Sequence, residues 1–208
     1  MKKAVGIMVL IAGMSMGAIW ARNAEDARKP RNLLAQRCSQ AIKVDGILDE
    51  DTWQRPGVGG FIQSEPDEGQ PATEQTEVWV AYDDKALYVA ARLHDREPGR
   101  IIKMLGRRDD MLDSDWFLVS LDPYNDKRSG FQFGVNPAGS IIDRTLSNDA
   151  WRDSTWDGVW ESAVQVNDGG WSAEMRIPFH QLRFRRQDEY VWGIYFQRKL
   201  QRRNEWAG

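Results

Sequence analysis

From Thr76 onward the chain is written in steps of two. Thr76, Val78, Val80 and Tyr82 alternate with Glu77, Trp79 and Ala81, and Leu87, Val89, Ala91 and Leu93 form the apolar face of the next run. Successive side chains of a strand point to opposite faces, so this spacing predicts two strands, with Asp83-Asp84-Lys85 turning between them as a hairpin. Trp116 to Leu121 reads as an apolar strand buried on both faces. Phe131, Phe133 and Val135 alternate with Gln132, Gly134 and Asn136, and Ile141-Ile142 follow a Pro137-Ala138-Gly139 turn. Trp160, Ser162, Val164 and Val166 lead into Asn167-Asp168-Gly169-Gly170, after which Trp171, Ala173, Met175 and Ile177 alternate with Ser172, Glu174 and Arg176. Val191 to Phe196 predicts a last strand. No segment carries three turns of amphipathic helix, and Gly46 to Trp53 predicts only a short turn with Asp49 as its cap. Many short strands with polar turns predict an all-β fold, an antiparallel β-sandwich.

The chain before this pattern has a different character. Lys2 and Lys3 precede an uncharged apolar run from Ala4 to Trp20, which reads as an export signal over residues 1–21 with cleavage after Ala21. A retained anchor is the alternative, since the run approaches the length that spans a bilayer. Residues 22–40 are polar and aperiodic and read as a linker. The folded domain is expected over 41–203, with 204–208 as the start of a junction to a further region. The domain is expected outside the cytoplasm, in the periplasm, the outer membrane or at the cell surface.

Composition narrows the partners. The net charge is −3, and the nearest approach to a basic stripe is Arg183, Arg185 and Arg186 with Arg202 and Arg203; nucleic acid binding needs a clustered basic face, so it is not expected. One cysteine, Cys38, and two histidines, His94 and His180, exclude an internal disulfide and the usual zinc ligand sets. Ten of the 208 residues are Trp. An indole is large and its N–H needs a partner when buried, so some of the ten are expected at the surface.

Val44-Asp45-Gly46-Ile47-Leu48-Asp49-Glu50 followed by Trp53 resembles the opening of family-nine carbohydrate-binding modules. Later pieces follow in the same order: Val78–Tyr82, Leu87-Tyr88-Val89, Asp115 ahead of Phe117-Leu118-Val119, Asn136-Pro137-Ala138-Gly139, Trp156-Asp157 with Trp160, and Trp171 through Phe179. The resemblance covers Ile42 to Arg203. It implies a β-sandwich, saccharide binding without catalysis, and in some members structural calcium. The nearer resemblance is to modules at the N-terminus of longer exported proteins that continue into a region like an outer-membrane β-barrel.

Candidate binding residues follow from what a sugar needs, namely a flat apolar surface for its C–H face and bidentate donors and acceptors for its hydroxyls. Trp151 lies in a polar, strandless stretch without apolar neighbours, so it is either a platform or a side chain folded over the sandwich edge. Trp156, nearer a strand, is the second candidate. Arg107 and Arg108, with Asp113 beyond them, form either a binding rim or a solvated loop of local ion pairs. Asn136 is either a rim acceptor or a turn former. Asp122, Asn125 and Asp126 form an oxygen-rich turn that would hold the calcium implied by the resemblance, although their spacing is not that of an EF-hand. Two further readings remain open. One is an interaction or gating domain for a barrel partner. The other is a glycoside hydrolase with Glu161 and Glu174 as its carboxylates, although Glu174 alternates with Ser172 and Arg176 on what reads as an ordinary outward face.

Overall fold

The computed structural model of the protein describes residues 7–12, 30–147 and 151–208. Among these residues the strands are β1 (Ile7–Ala12), β2 (Pro30–Arg37), β3 (Gln63–Glu65), β4 (Thr76–Tyr82), β5 (Ala86–His94), β6 (Trp116–Asp122), β7 (Ser129–Val135), β8 (Ile141–Ser147), β9 (Trp151–Asp153), β10 (Glu161–Asn167), β11 (Gly170–Pro178), β12 (Tyr190–Leu200) and β13 (Glu205–Ala207). The helical pieces described are single 3-10 turns, at Asp51–Trp53, Pro98–Arg100, Phe179–Gln181 and Gln201–Arg203. No helix among the described residues is long and apolar enough to cross a membrane.

The fold is an antiparallel-dominated β-sandwich. One layer runs β10-β11-β5-β4 and the other β12-β6-β7-β8-β9, with β2 and β1 joining them along one side. Within each layer neighbours are antiparallel; the parallel pairs are β1 with β12 and β2 with β4. The alternation read from the sequence explains what lies between the layers. Val78, Val80 and Tyr82 of β4, Leu87, Val89, Ala91 and Leu93 of β5, and Trp171, Ala173, Met175 and Ile177 of β11 meet Phe117, Val119, Phe131, Phe133, Val135, Ile194 and Phe196 from the other layer in one cluster. Burying these apolar faces against each other is the dominant stabilising term.

Residues 42–54 cover the outer face of the first layer. Leu48 and Trp53 pack on Trp79, Ala81, Ala86, Tyr88 and Ala90. Glu174, expected on an outward polar face, is instead sealed beneath this segment at 1% exposure. Its Oε2 accepts from the backbone N–H groups of Asp45 (3.0 Å) and Gly46 (2.8 Å), and its Oε1 accepts from Trp53 Nε1 (2.9 Å). Gly46 has φ +83°, and a Cβ there would lie 2.7 Å from the Val164 carbonyl carbon. Only glycine meets both demands. The Val44–Trp53 signature is therefore a fastener of the fold. The alternation placed Glu174 on the correct face; what covers that face comes from more than 120 residues earlier in the chain.

Three further stretches, for which the sequence pattern predicts no strand, pair in the sheets. Pro30–Arg37, within the expected linker, is β2, paired with β1 and β4. Part of the apolar N-terminal run, Ile7–Ala12, is β1, between β2 and β12. Residues 204–208, expected to start a junction, close the domain: β13 pairs with β12 and β3, Glu205 accepts from Thr73 N and Oγ1 (3.0 and 2.7 Å), and Gly208 exchanges backbone bonds with Ile62.

Two sealed carboxyls set a pH dependence. Burial raises Glu174 to about 7 against its three donors, and burial raises Asp115 to about 6 against the Gln201 backbone N–H. A folded-state value above the unfolded one means that the native chain binds more protons across this range. The stabilisation is fully present below about pH 4 and is lost as pH rises through 6 and then 7. Thermal melts should therefore show a Tm lower by at least about 5 °C at pH 8 than at pH 5. A flat profile in wild type, or an equally steep one in Glu174→Gln, would refute the assignment.

Candidate functional site

Register across β12, β6, β7, β8 and β9 decides which side chains share the outer face of the second layer. Phe131 and Phe133 point inward, so Gln132 between them points outward, opposite Ser120 on β6 and Arg144 on β8, with Tyr195 beside Ser120 on β12. One end of this face is closed by a small apolar cluster, Trp116, Leu118 and Ile142 under Leu112 and Trp206. Beyond it lies a polar row. Arg144 Nε donates to Gln132 Oε1 (2.8 Å), and Gln132 Nε2 donates to Ser120 Oγ (2.9 Å). Each link fixes the orientation of the next, so the guanidinium is held with its terminal nitrogens unengaged by any hydrogen bond among the described residues. Arg152, opposite Leu146, continues the same face at the edge strand. Ser120, Gln132, Arg144 and Tyr195 were not singled out from the sequence. The signal for Gln132 was present, since its neighbours Phe131 and Phe133 are core residues by alternation. That for Arg144 was not, because it sits between two strand residues of no clear period.

The residues that were singled out fall into different places. Trp151 opens β9 at 71% exposure, paired with Ser147, which in turn pairs Ser129. It therefore projects past the sheet edge on the core side, the opposite face from Arg144. Trp156 turns back onto the core, 5.1 Å from the Phe131 ring and 5.9 Å from Phe133. Asn136 is fully buried. Its Nδ2 donates to the Met104 carbonyl (2.7 Å) and its Oδ1 accepts from the N–H groups of Ala138 and Ser140 (3.0 and 2.9 Å), which ties the β7–β8 turn to the loop before β6 and leaves no amide atom for a ligand. Asp113 accepts from Gln201 Nε2 (3.4 Å). Arg107 is exposed.

Arg108 lies among carboxylates. It contacts Asp143, whose side chain is sealed, and it lies 3.3 Å from Asp157 and 3.8 Å from Asp109. It also donates to the Gly158 carbonyl (2.5 Å), while the Gly158 N–H donates to Asp143. Asp109, Asp143 and Asp157 are the one carboxylate trio among the described residues with ligand atoms close enough for a cation, yet the guanidinium already supplies the positive charge there. The Asp122 turn does not fit calcium either. Asp122 accepts from the N–H groups of Asp126 and Lys127, and Asp126 accepts from those of Arg128 and Ser129 and from Ser129 Oγ. Those oxygens form a turn. Beside them is a pocket of about 240 Å³ lined by Pro123, Tyr124, Asp126, Arg185 and Gln187. Glu161, the other carboxylate considered for hydrolysis, faces Arg176 (2.7 Å), while Glu174 is closed off as described above.

Residues 44–201 match the family described as carbohydrate family 9 binding domain-like. The chain belongs to that family. Among solved structures it is similar to a carbohydrate-binding module of family 9 from Caldicellulosiruptor kristjanssonii in complex with cellotriose, at 17% identity and TM-score 0.57, covering 83% of this chain and 81% of that one. The same kind of module in complex with glucose matches at 17% identity and TM-score 0.56, over 83% and 84%. A protein from Bacteroides uniformis ATCC 8492, described as a proposed carbohydrate-binding protein, matches at 12% identity and TM-score 0.57, over 73% and 76%. No curated protein matches the chain. These likenesses establish the sandwich of a family-nine module, and its signature Val44–Trp53 is the fastener over Glu174.

Proposed function

We propose that this chain is a non-catalytic saccharide-binding module of an exported protein, and that its ligand lies on the outer face of β12-β6-β7-β8. The observation that carries the reading is the row Arg144–Gln132–Ser120, hydrogen-bonded along the outer sheet face in a member of this family, with the buried Gln132 fixing the partly exposed Arg144 and Ser120 on either side. Four strand spacings of about 4.8 Å separate β12 from β9, about 19 Å in all. That width suits an oligosaccharide more than a single ring. Fixed donors and acceptors at regular spacing bind hydroxyls at little entropic cost, because the side chains are ordered before the ligand arrives. The relatives crystallised with cellotriose and glucose support the ligand class. The apolar run after Lys2 and Lys3 supports export and a place in the cell envelope.

Titration of a panel of soluble oligosaccharides by calorimetry tests this. Binding of at least one is expected, with Gln132→Ala weakening it about tenfold or more, since the ladder loses its central link. Trp151→Ala should change affinity by less than about threefold, because that ring lies on the opposite side of the sheet. Absence of binding across the panel, or a Gln132→Ala protein of unchanged affinity, would reject the face as the site.

A second reading rests on a different observation. Leu105, Met104, Met111 and Val159 are exposed apolar side chains on the loop before β6 and on the segment that Arg108 fastens beside it, and such patches mark protein contacts. It assigns this edge to a partner region of the same envelope protein, such as an outer-membrane barrel. Co-purification with that region, lost in Leu105→Ser with Val159→Ser, would establish it; retention in the double variant would not be compatible with it.

A further inference from the structure

We infer that the face carrying Arg144 takes an anionic saccharide, one bearing uronate or sulfate groups, in preference to a neutral one. This rests on the saccharide-binding reading above and deepens it. Arg144 is partly buried on the sheet, its Nε is committed to Gln132, and no described carboxylate forms an ion pair with it. The other arginines of comparable or deeper burial, apart from Arg55, have their guanidinium engaged more fully. Arg198 gives its guanidinium to the carbonyls of Gln75 and His94 and to Thr76 Oγ1. Arg202 pairs with Asp95, Arg108 with Asp143, and Arg176 with Glu161; Arg55 donates to the Val80 carbonyl.

The surroundings point the same way. Arg152 lies on the same face near Arg144. Burial first, and then the repulsion of Arg152, lower the affinity of Arg144 for its proton, while Asp109 offsets this in part. Asp109 is itself turned to the Asp143 N–H, which it accepts at 2.8 Å. Two guanidinium groups of like sign, one partly desolvated and oriented by a hydrogen-bonded neighbour, disfavour one another until an anion lies between them. A planar carboxylate accepts two parallel N–H bonds from such a fork, and charge-assisted bonds of this kind are about twice as strong as neutral ones. A neutral hydroxyl relieves neither the desolvation nor the repulsion. Substrate discrimination of about tenfold or more between a uronate and its neutral counterpart is the expected consequence.

The experiment compares tetragalacturonate with its carboxyl-reduced neutral tetramer, and a chondroitin sulfate tetrasaccharide with its desulfated, carboxyl-reduced form, by calorimetry at 50 and 300 mM NaCl. The expected result is at least about tenfold tighter binding of one anionic oligomer than of its neutral counterpart, with the preference shrinking at the higher salt. Which pair shows it tells carboxylate from sulfate. Arg144→Gln should weaken the anionic oligomer at least about tenfold more than the neutral one, so that the preference between the two disappears. If Arg144→Gln does not fold, Arg152→Gln, an exposed substitution, should reduce the preference by about threefold or more. Equal affinity for both members of each pair, or a preference that survives both substitutions, overturns the inference and leaves saccharide binding intact. Failure of all four oligomers and of the neutral panel overturns both.

Discussion

Glu174→Ala should lower stability by about 4 kcal/mol and Tm by roughly 8–16 °C. Three donors, Asp45 N–H, Gly46 N–H and Trp53 Nε1–H, would lose their acceptor together. A buried donor left unmade costs on the order of 1–3 kcal/mol, and the vacated carboxyl volume adds a cavity under Leu48 and Trp53. The loss should begin locally. Because residues 42–54 reach the rest of the molecule through the outer face of one layer, limited proteolysis should nick this segment before the sandwich melts. Guanidinium melts with Trp fluorescence measure the first effect, and mapping of early cleavage sites measures the second. A variant within about 1 kcal/mol of wild type would show that this carboxyl does not hold the segment down.

Arg202→Met should be nearly as costly, at about 3–5 kcal/mol. The Arg202 side chain, 6% exposed, bridges Asp95 through both terminal nitrogens at 2.5 and 2.8 Å and approaches Glu74 at 3.6 Å. Arg96 holds the other side of Glu74. Removing Arg202 strands the fully buried carboxylate of Asp95, whose charge is kept in place against burial by this guanidinium and by the Glu97 N–H. The cost is one of abandonment, so Arg202→Met combined with Asp95→Leu should recover at least half of it. A double variant as unstable as the sum of its parts would contradict this account. The pairing also explains why the chain after β12 belongs to the domain: Arg202 and Glu205 anchor it to the β3–β5 region.

Much of the core was legible along the chain. Val78, Val89, Phe133, Met175 and Phe196 all follow the period of two, and a strand has no other way to present one face to a partner layer. Trp53, Trp171 and Trp192 are sealed, in keeping with their apolar surroundings in the sequence. Strand β2 was missed because its polar and apolar residues do not alternate, and β13 because it is too short to show a period. Their order comes from pairing with strands far away in sequence, which no local pattern records.

The binding residues were harder to read, and the cause is geometric. Alternation states that Gln132 and Glu174 point away from the core, but it cannot say what then covers them. Residues 42–54 fold over Glu174 and convert an outward carboxylate into a buried fastener, while Gln132, 3% exposed, is closed in between Ser120 and Arg144 on the outer face of the other layer. Arg107, Arg108, Asp113 and Asn136 had the chemistry expected of a rim, yet Arg108 is surrounded by Asp109, Asp143 and Asp157, and Asn136 spends its whole amide on a turn. Sequence by itself determined the sandwich, its inward faces and the family, because periodicity and short motifs are properties of neighbours along the chain. Only the tertiary structure decided which polar groups are spent on one another and which remain for a ligand, because hydrogen bonds and ion pairs are made between residues a hundred positions apart.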